Sequence, residues 1–557
     1  MKKHLTLLCI FCLSALLSMA QEEQVKLPYS FRQKNISMVV NQVDMPQLDQ
    51  SKLLKQDAEH SNKSDLFRAG IGFDVNANTT NSGRTDITPD GGKLWRNQFN
   101  SEGAYMMYLV FEDFNIPEEA ELYIYSPDQD QVYGPYTNKD VQSVGRFETD
   151  NIIGDELVVE YYEPANAAFH GHFNIAAVMH IYKDFLNTRS EEKGPHGTAD
   201  GNCHIDVVCP EAQPWHYPIN SVVCISMTAE VPGEGWGMYL CSGAMVNNVR
   251  MDKTPYVLSA DHCVAADDQT YKFYFNYQVS ECGGSTGLSS RVANGGVIVA
   301  RSNTSNTYAG SDFLLLRITG NLGIAYRDSI FFAGWDCSGA YNTGVCIHHP
   351  GGDWKKISFV NNVTAPTSGS YANRFYVVSW MTNPNKGVTE QGSSGSPLFN
   401  NSSLIIGTLT GGSSFCYSPS GTDIYGRVSY HWYNNGNSNN ARKLQPWLDP
   451  DNTGTKILQG MTYGGQVITG VAEHTQNNTF TVAPNPTRDG MITIQGDFMN
   501  EDAVCNIYNV MGQLVMTKNV TIDASFNMNV SNLDNGIYFI ELIGADRTYK
   551  SKLIISK

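Results

Sequence analysis

No stretch of this chain keeps its apolar residues in step with a helix. They fall instead in short alternating or continuous runs cut by Gly, Pro and Asp, the pattern of strands joined by turns. "GAYMMYLVFEDF", "AELYIYSP" and "DELVVEYYEP" come early, "KFYFNYQV", "DFLLLRI", "RFYVVSW" and "SLIIGTLTGG" in the middle, and "FTVAPNP", "MITIQG", "AVCNIYNVMGQLVM" and "GIYFIELIG" late. The chain is therefore expected to be all-β. At 557 residues it is too long for one core, so several units are expected.

Cysteine usage marks the units. Of twelve cysteines, Cys9 and Cys12 lie in the first twenty residues, Cys505 lies alone near the C-terminus, and the other nine fall between Cys203 and Cys416. The chain opens with Met1-Lys2-Lys3, the apolar run Leu5 to Leu17, and Ser18-Met19-Ala20, the order of a secretory signal. Export to an oxidising compartment makes disulfides the natural reading of the central cysteines, with one thiol left over because nine is odd. No later run is long enough to span a bilayer as a helix. A formal net charge of −17 argues against a nucleic-acid partner, since phosphate binding needs a basic face.

These shifts divide the chain into a signal peptide at 1–20, a cysteine-free β-sandwich-like segment at 21–193, a cysteine-rich domain at 194–461, a linker at 462–470 and a small β-sandwich at 471–557. The polar stretch Asn187 to Asn202 reads as an exposed connector open to proteolysis.

Three stretches of the central segment carry groups that act together in nucleophilic catalysis: "LSADHCV" with His262, "GSDFLLLRI" with Asp312 and "GSSGSP" with Ser394. A serine hydroxyl is a weak nucleophile until a histidine takes its proton, and the histidine needs a carboxylate to hold its tautomer and its charged form. Gly392 and Gly395 let the chain turn tightly around Ser394, and the N–H groups of Gly392 and Ser394 are candidates for an oxyanion hole. Taken singly, each piece has a plainer reading: a packed histidine, a strand-start aspartate, a Gly/Ser linker.

In combination they resemble the trypsin-like serine proteases, and within them the secreted bacterial lysyl endopeptidases. The shared runs are "CHIDVVCPE", "NYQ", "SDF", "FAGWD", "IHHP", "GVTEQGSSGSP", "GTLTGG", "DIYGRV" and "WLDP". The resemblance implies a chymotrypsin-like pair of six-stranded β-barrels with the site between them. It makes His262 the general base, Asp312 its orienting carboxylate, Ser394 the nucleophile and Asp423 the carboxylate at the base of the pocket for a basic side chain. It implies that Trp380 belongs to a Trp and His pair narrowing that pocket, while Thr410 stands where the histidine of the pair would be. Cleavage after lysine is expected, with arginine or mixed specificity as the alternative. A surface binding protein that keeps the fold without the activity is the rival from another class. The same match pairs Cys203 with Cys416, Cys209 with Cys282 and Cys241 with Cys263; Cys224, Cys337 and Cys346 lie outside that pattern and their pairing stays open, a local Cys337–Cys346 bridge with Cys224 as the odd thiol being one reading.

Ser393 precedes the nucleophile where digestive trypsin-like enzymes carry an Asp that receives the new N-terminus, so activation must differ. "WRNQF", "LYIYSPDQDQVYGPYT" and "GDELVVEYYEP" resemble the family's propeptide, expected to inhibit or to assist folding, with Lys193 or Arg189 as the maturation site. His348 and His349 in "IHHP" read as structural rather than metal-binding, because adjacent strand residues face opposite ways and no HExxH helix accompanies them. "DPDNTG", Asp449 to Gly454, reads as a turn rather than a calcium loop. No metal or cofactor is expected. The last segment, with "PNPT", "IYNVMGQLV", "NGIYFIEL" and "KSKLIISK", resembles the sorting domain of the type IX secretion system of Bacteroidetes. It implies passage across the outer membrane to the medium or the cell surface, with that secretion machinery and protein or peptide substrates as partners of a monomer. Cys505 is expected in its core.

Overall fold

The computed structural model describes residues 26–468 and 480–557, apart from 35, 37–39, 61, 187–202, 289–290, 303–309, 321, 323–329, 340, 342, 383–385, 435, 497–500, 510–513, 523–524 and 544–547. The expected signal peptide at 1–20 and both maturation candidates, Lys193 and Arg189, lie outside the described residues. Two units separate, Met1–Thr469 and Gly470–Lys557.

Within the first unit the central segment builds two barrels. The strands Val222–Val231, Gly235–Val246, Tyr256–Ser259 and Leu314–Ile318 pair in that order. Leu314–Ile318 then pairs with Gly296–Arg301, and Arg291–Asn294, one residue before it, pairs with Thr270–Phe275. Thr270–Phe275 returns to Val222–Val231 and closes the ring. The second ring runs Gly344–His348, Lys356–Thr364, Phe375–Trp380, Thr422–Arg427, Ile405–Gly412 and Pro397–Asn400, whose last strand pairs with its first. Closure removes open edges, so each strand turns one apolar face inward. Leu258 and Leu315 of the first ring and Ile347, Ile357, Phe399 and Ile405 of the second meet in one buried core with Trp215, Trp335 and Trp432. This is the chymotrypsin-like double barrel.

The N-terminal segment is sandwich-like but not self-contained. One of its sheets, with Asn41–Asp44, Lys93–Asn100, Glu156–Glu163, Glu121–Tyr125 and Val132–Tyr136 in order, packs through Trp95, Phe99, Leu122 and Leu157 on Leu109, Phe111 and Val178 of the other. That other sheet is continuous with the first barrel: Phe67–Ala77 pairs with His172–Ile181 on one side and with Gly235–Val246 on the other, through Phe67↔Leu240 and Ile71↔Gly237. Gly235–Val246 extends beyond its partner Tyr256–Ser259, which pairs only with Ala244 to Val246, and leaves edge hydrogen bonds for another strand. The segment also holds a helix, Gln50–Glu59, capped by Asp49 and without a buried residue, so no apolar stripe announced it.

A buried polar network reinforces the joint. The Glu148 carboxylate accepts a hydrogen bond from Thr228 Oγ1 at 2.8 Å and lies 3.5 Å from Lys272 Nζ, both side chains being shut off from water. Lys272 Nζ also sits 4.0 Å from the centre of the Tyr108 ring and donates to Asn151 Oδ1 at 3.0 Å.

Three disulfides are present, Cys203–Cys416, Cys209–Cys282 and Cys241–Cys263, the pairs that the resemblance implies. The bridge between Cys337 and Cys346 is not: both are free, as is Cys224, so three central thiols are left over rather than one. Cys346 faces the interior of the second barrel beside Ser396 Oγ, whereas Cys337 is directed to the Lys456 carbonyl. Burial pushes the Cys224 and Cys346 thiols up to about 12. "DPDNTG" forms a turn in which the Asp449 carboxylate accepts from the Thr453 and Gly454 N–H groups.

The second unit stacks a sheet of Thr481–Ala483, Met491–Gln495 and Ser525–Asn529 with one of Leu514–Ile522, Glu501–Asn509, Gly536–Ile543 and Thr548–Ile555. Cys505 is buried in its core with Ile494, Met528 and Ile540.

Glu148→Ala leaves the Lys272 ammonium buried without its counter-charge. We expect a loss of about 3 kcal/mol of stability, read as a lower denaturant midpoint for unfolding of the full chain, with Glu148→Gln losing less.

Candidate active site

The two barrels meet near the groups singled out in the sequence: Gly395, next to Ser394, packs against Ser259 and Ala260, just before His262. His262 lies in the single turn Asp261–Cys263 that follows Tyr256–Ser259, and Asp312 immediately precedes Leu314–Ile318, so both come from the first barrel. Ser394 precedes Pro397–Asn400 of the second. The barrels are joined at this point: Ser242 N–H donates to the Ser394 carbonyl at 2.8 Å, and Ser242 Oγ donates to the Gly392 carbonyl at 3.0 Å.

His262 Nδ1–H donates to Asp312 Oδ2 at 2.7 Å, while the His262 backbone N–H donates to Asp312 Oδ1 at 2.9 Å. One carboxylate thus fixes both the ring and the backbone of the histidine, and leaves Nε2 to face the site. Asp312 holds a positive φ of 58°, a conformation disfavoured without a side chain that bonds locally. Its neighbour Ser311 braces it through Oγ to His431 Nδ1 at 2.7 Å, with His431 Nε2 on Thr408 Oγ1. Burial opposes protonation of His262, but the carboxylate of Asp312, helped by Asp261 and Asp65, outweighs it and holds the imidazole above its ordinary value of 6.5.

Around Ser394 the backbone turns with φ of 84° at Gly392 and 76° at Gly395, the left-handed region that glycine enters without steric cost. Ser393, which stands where an activating Asp was not to be found, hydrogen-bonds through Oγ to His348 Nδ1 at 2.7 Å, and His348 Nε2 reaches Ser358 Oγ at 3.0 Å. His348 is thus a buried brace for the turn that carries Ser394, kept neutral because burial lowers its pKa far below the usual imidazole range. His349 Nδ1 donates to the Asp353 carbonyl and its ring stacks on Tyr277.

Asp423 is fully buried beside the nucleophile turn. Its Oδ2 accepts from Trp380 Nε1 at 2.8 Å, Thr389 Oγ1 at 2.6 Å and Ser414 Oγ at 2.6 Å. Trp380 is thus a direct hydrogen-bond donor to the buried carboxylate of Asp423. Thr410 lies at a bulge in the pairing of Ile405–Gly412 with Thr422–Arg427, its buried hydroxyl without a hydrogen-bond partner among the described residues. Sequence reasoning missed Thr389, Ser414, His431 and the brace made by His348, since a lone Thr or Ser carries no signal of what it will face. It missed above all the occupant of the pocket. Lys63, from the N-terminal segment, donates through Nζ to Asp423 Oδ1 at 2.8 Å, Ser414 Oγ at 2.7 Å and Thr389 Oγ1 at 3.0 Å. Ser394 Oγ donates to the carbonyl of the same Lys63 at 3.0 Å.

Comparison with known proteins agrees with this architecture. The family model of the lysyl endopeptidase C-terminal domain matches residues 197–426, and that of the secretion system C-terminal sorting domain matches residues 481–556. The chain carries a lysyl-endopeptidase-like domain of the trypsin superfamily fused to a Bacteroidetes-type sorting domain. A lysyl endopeptidase of Pseudomonas aeruginosa is 27% identical over 344 residues, spanning 60% of this chain and 71% of that protein. The molecule is a serine-protease-superfamily hydrolase of trypsin-like fold, exported through the type IX route to the medium or the cell surface.

In the Ser394→Ala chain we expect the His262 ring to titrate above 6.5 by NMR, and Asp312→Asn to drop it below 6.5, because burial then outweighs the smaller pull of Asp261 and Asp65.

Proposed function

We propose that the protein is an endopeptidase that cleaves after lysine through Ser394, His262 and Asp312. Ser394 Oγ attacks the carbonyl carbon of the lysine as its proton passes to His262 Nε2, and Asp312 stabilises the imidazolium. The N–H groups of Gly392 and Ser394 receive the developing oxyanion. His262 then protonates the leaving amine as the C–N bond breaks, and water resolves the acyl-enzyme by the reverse sequence.

What carries this reading is a single residue, Lys63. Its ammonium meets Asp423 while its carbonyl meets Ser394 Oγ, so the span from pocket to nucleophile matches the length of one lysine. The three N–H bonds of an ammonium find three acceptors, Asp423 Oδ1, Ser414 Oγ and Thr389 Oγ1. Each hydroxyl accepts from the ammonium while donating its own proton to Asp423 Oδ2. A planar guanidinium with five N–H bonds matches this set poorly, which favours lysine over arginine. Protein and peptide chains are the substrates, and the tail after residue 480 engages the type IX machinery.

Digestion of a denatured protein, with mass spectrometry of the new C-termini, tests the reading. Cuts almost only after lysine are expected. Ser394→Ala is expected to lower the rate at least about 10⁴-fold with folding intact, and undiminished cleavage by that variant overturns the assignment. Asp423→Asn is expected to lower kcat/KM at lysine roughly 10³-fold. Activity is expected to fall as pH drops through a pKa above 6.5, where His262 takes up the proton it must be free to accept.

A further inference from the structure

Resting on the lysine-pocket reading above, we infer that Asn62 to Asp65 is a built-in inhibitory plug, with Lys63 as a substrate mimic that the site holds and does not cut. The Lys63 side chain has no exposure to water. Its ammonium fills the pocket described above and lies 5.0 Å from the centre of the Phe415 ring. Burial lowers the pKa of this ammonium, and Asp423 opposes that shift by pairing with the charge.

The geometry at the nucleophile is that of a complex stalled before attack. Ser394 Oγ spends its proton on the Lys63 carbonyl, whereas His262 Nε2, which should receive that proton, is buried and has no hydrogen-bond partner among the described residues. The chain around Lys63 is a closed turn rather than an extended strand. Asp65 N–H donates to the Asn62 carbonyl at 2.9 Å, and the Asp65 carboxylate accepts from the Asn62 backbone N–H at 3.2 Å and side-chain amide at 3.0 Å. Gln391, three residues before the nucleophile, grips both ends of the turn by donating to the carbonyls of His60 at 2.9 Å and Asp65 at 3.2 Å.

The plug is also tied down on both sides. Immediately after it, Phe67–Ala77 joins the edge of the first barrel. Before it, the helix Gln50–Glu59 is fixed to the same sheet by Asp57, which pairs with Arg68 at 2.8 Å and Lys183 at 2.7 Å. A break after Lys63 would leave both new ends held in place, poised to rejoin rather than depart. Cleavage at the connector between the N-terminal segment and the central domain does not by itself empty the pocket; the sheet joint must also open.

The test uses the full chain in a Ser394→Ala background, so that nothing is processed, and compares Lys63 with Lys63→Ala. The probes are a fluorescent lysine-containing peptide and n-butylamine, a mimic of the lysine side chain. We expect Lys63→Ala to bind the peptide at least about 100-fold more tightly than the parent, because a tethered occupant competes at an effective concentration far above that of a free peptide. We also expect n-butylamine to raise the melting temperature of Lys63→Ala and not of the parent. Equal, tight peptide binding by both chains overturns the plug and leaves the lysine pocket standing. Failure of a folded Lys63→Ala chain to bind either probe overturns the lysine pocket, and the plug with it.

Discussion

A carboxylate shut off from water constrains this molecule more than any other group. An unpaired charge at the position of Asp423 would be costly enough to be neutralised or to draw a cation in. The fold surrounds it with Trp380, Thr389 and Ser414, all donating to one oxygen, and leaves the other for an ammonium. Three of these four residues lie on or beside strands of a closed barrel, where closure fixes the direction in which alternate side chains point. The seat that holds the Lys63 ammonium is thus built largely by the barrel itself.

The same logic extends across the cleft. His262 and Asp312 belong to one barrel and Ser394 to the other, so their alignment depends on how the barrels meet. The hydrogen bonds of Ser242 to Ser394 and Gly392 and the shared core of tryptophans make that meeting rigid. Around this frame two buried, neutral histidines hold the loops that carry these residues: His431 bonds Ser311 beside Asp312, and His348 bonds Ser393 beside Ser394. Both lose their affinity for protons to burial, which makes them fixed hydrogen-bonding pieces rather than titrating ones.

Much of this was legible in the residues. Short strand runs gave an all-β chain, whereas the pair of closed rings was implied only by the family resemblance. His262, Asp312 and Ser394 stood out because their neighbours, a cysteine, a strand start and paired glycines, are what such groups need locally. The free state of Cys337 and Cys346 was not legible, because spacing along the chain says nothing about whether a barrel wall turns one sulfur inward and the other out. Nor was the continuity of the N-terminal segment with the first barrel, since an edge strand accepts a partner through backbone groups that every sequence shares.

The sequence by itself pointed to the chemistry on offer: a candidate nucleophile turn at Ser394, His262 with Asp312 as its candidate carboxylate, Asp423 as a candidate pocket residue, an expected export signal and a sorting tail. It did so because reaction and targeting depend on residue types at short spacing. Only the tertiary structure decided what fills the site. Lys63 and Asp423 are 360 positions apart, and nothing local marks that lysine from the others in the chain. It reaches the pocket because the strand after it completes the edge of a barrel, and backbone pairing carries the turn before that strand into the cleft.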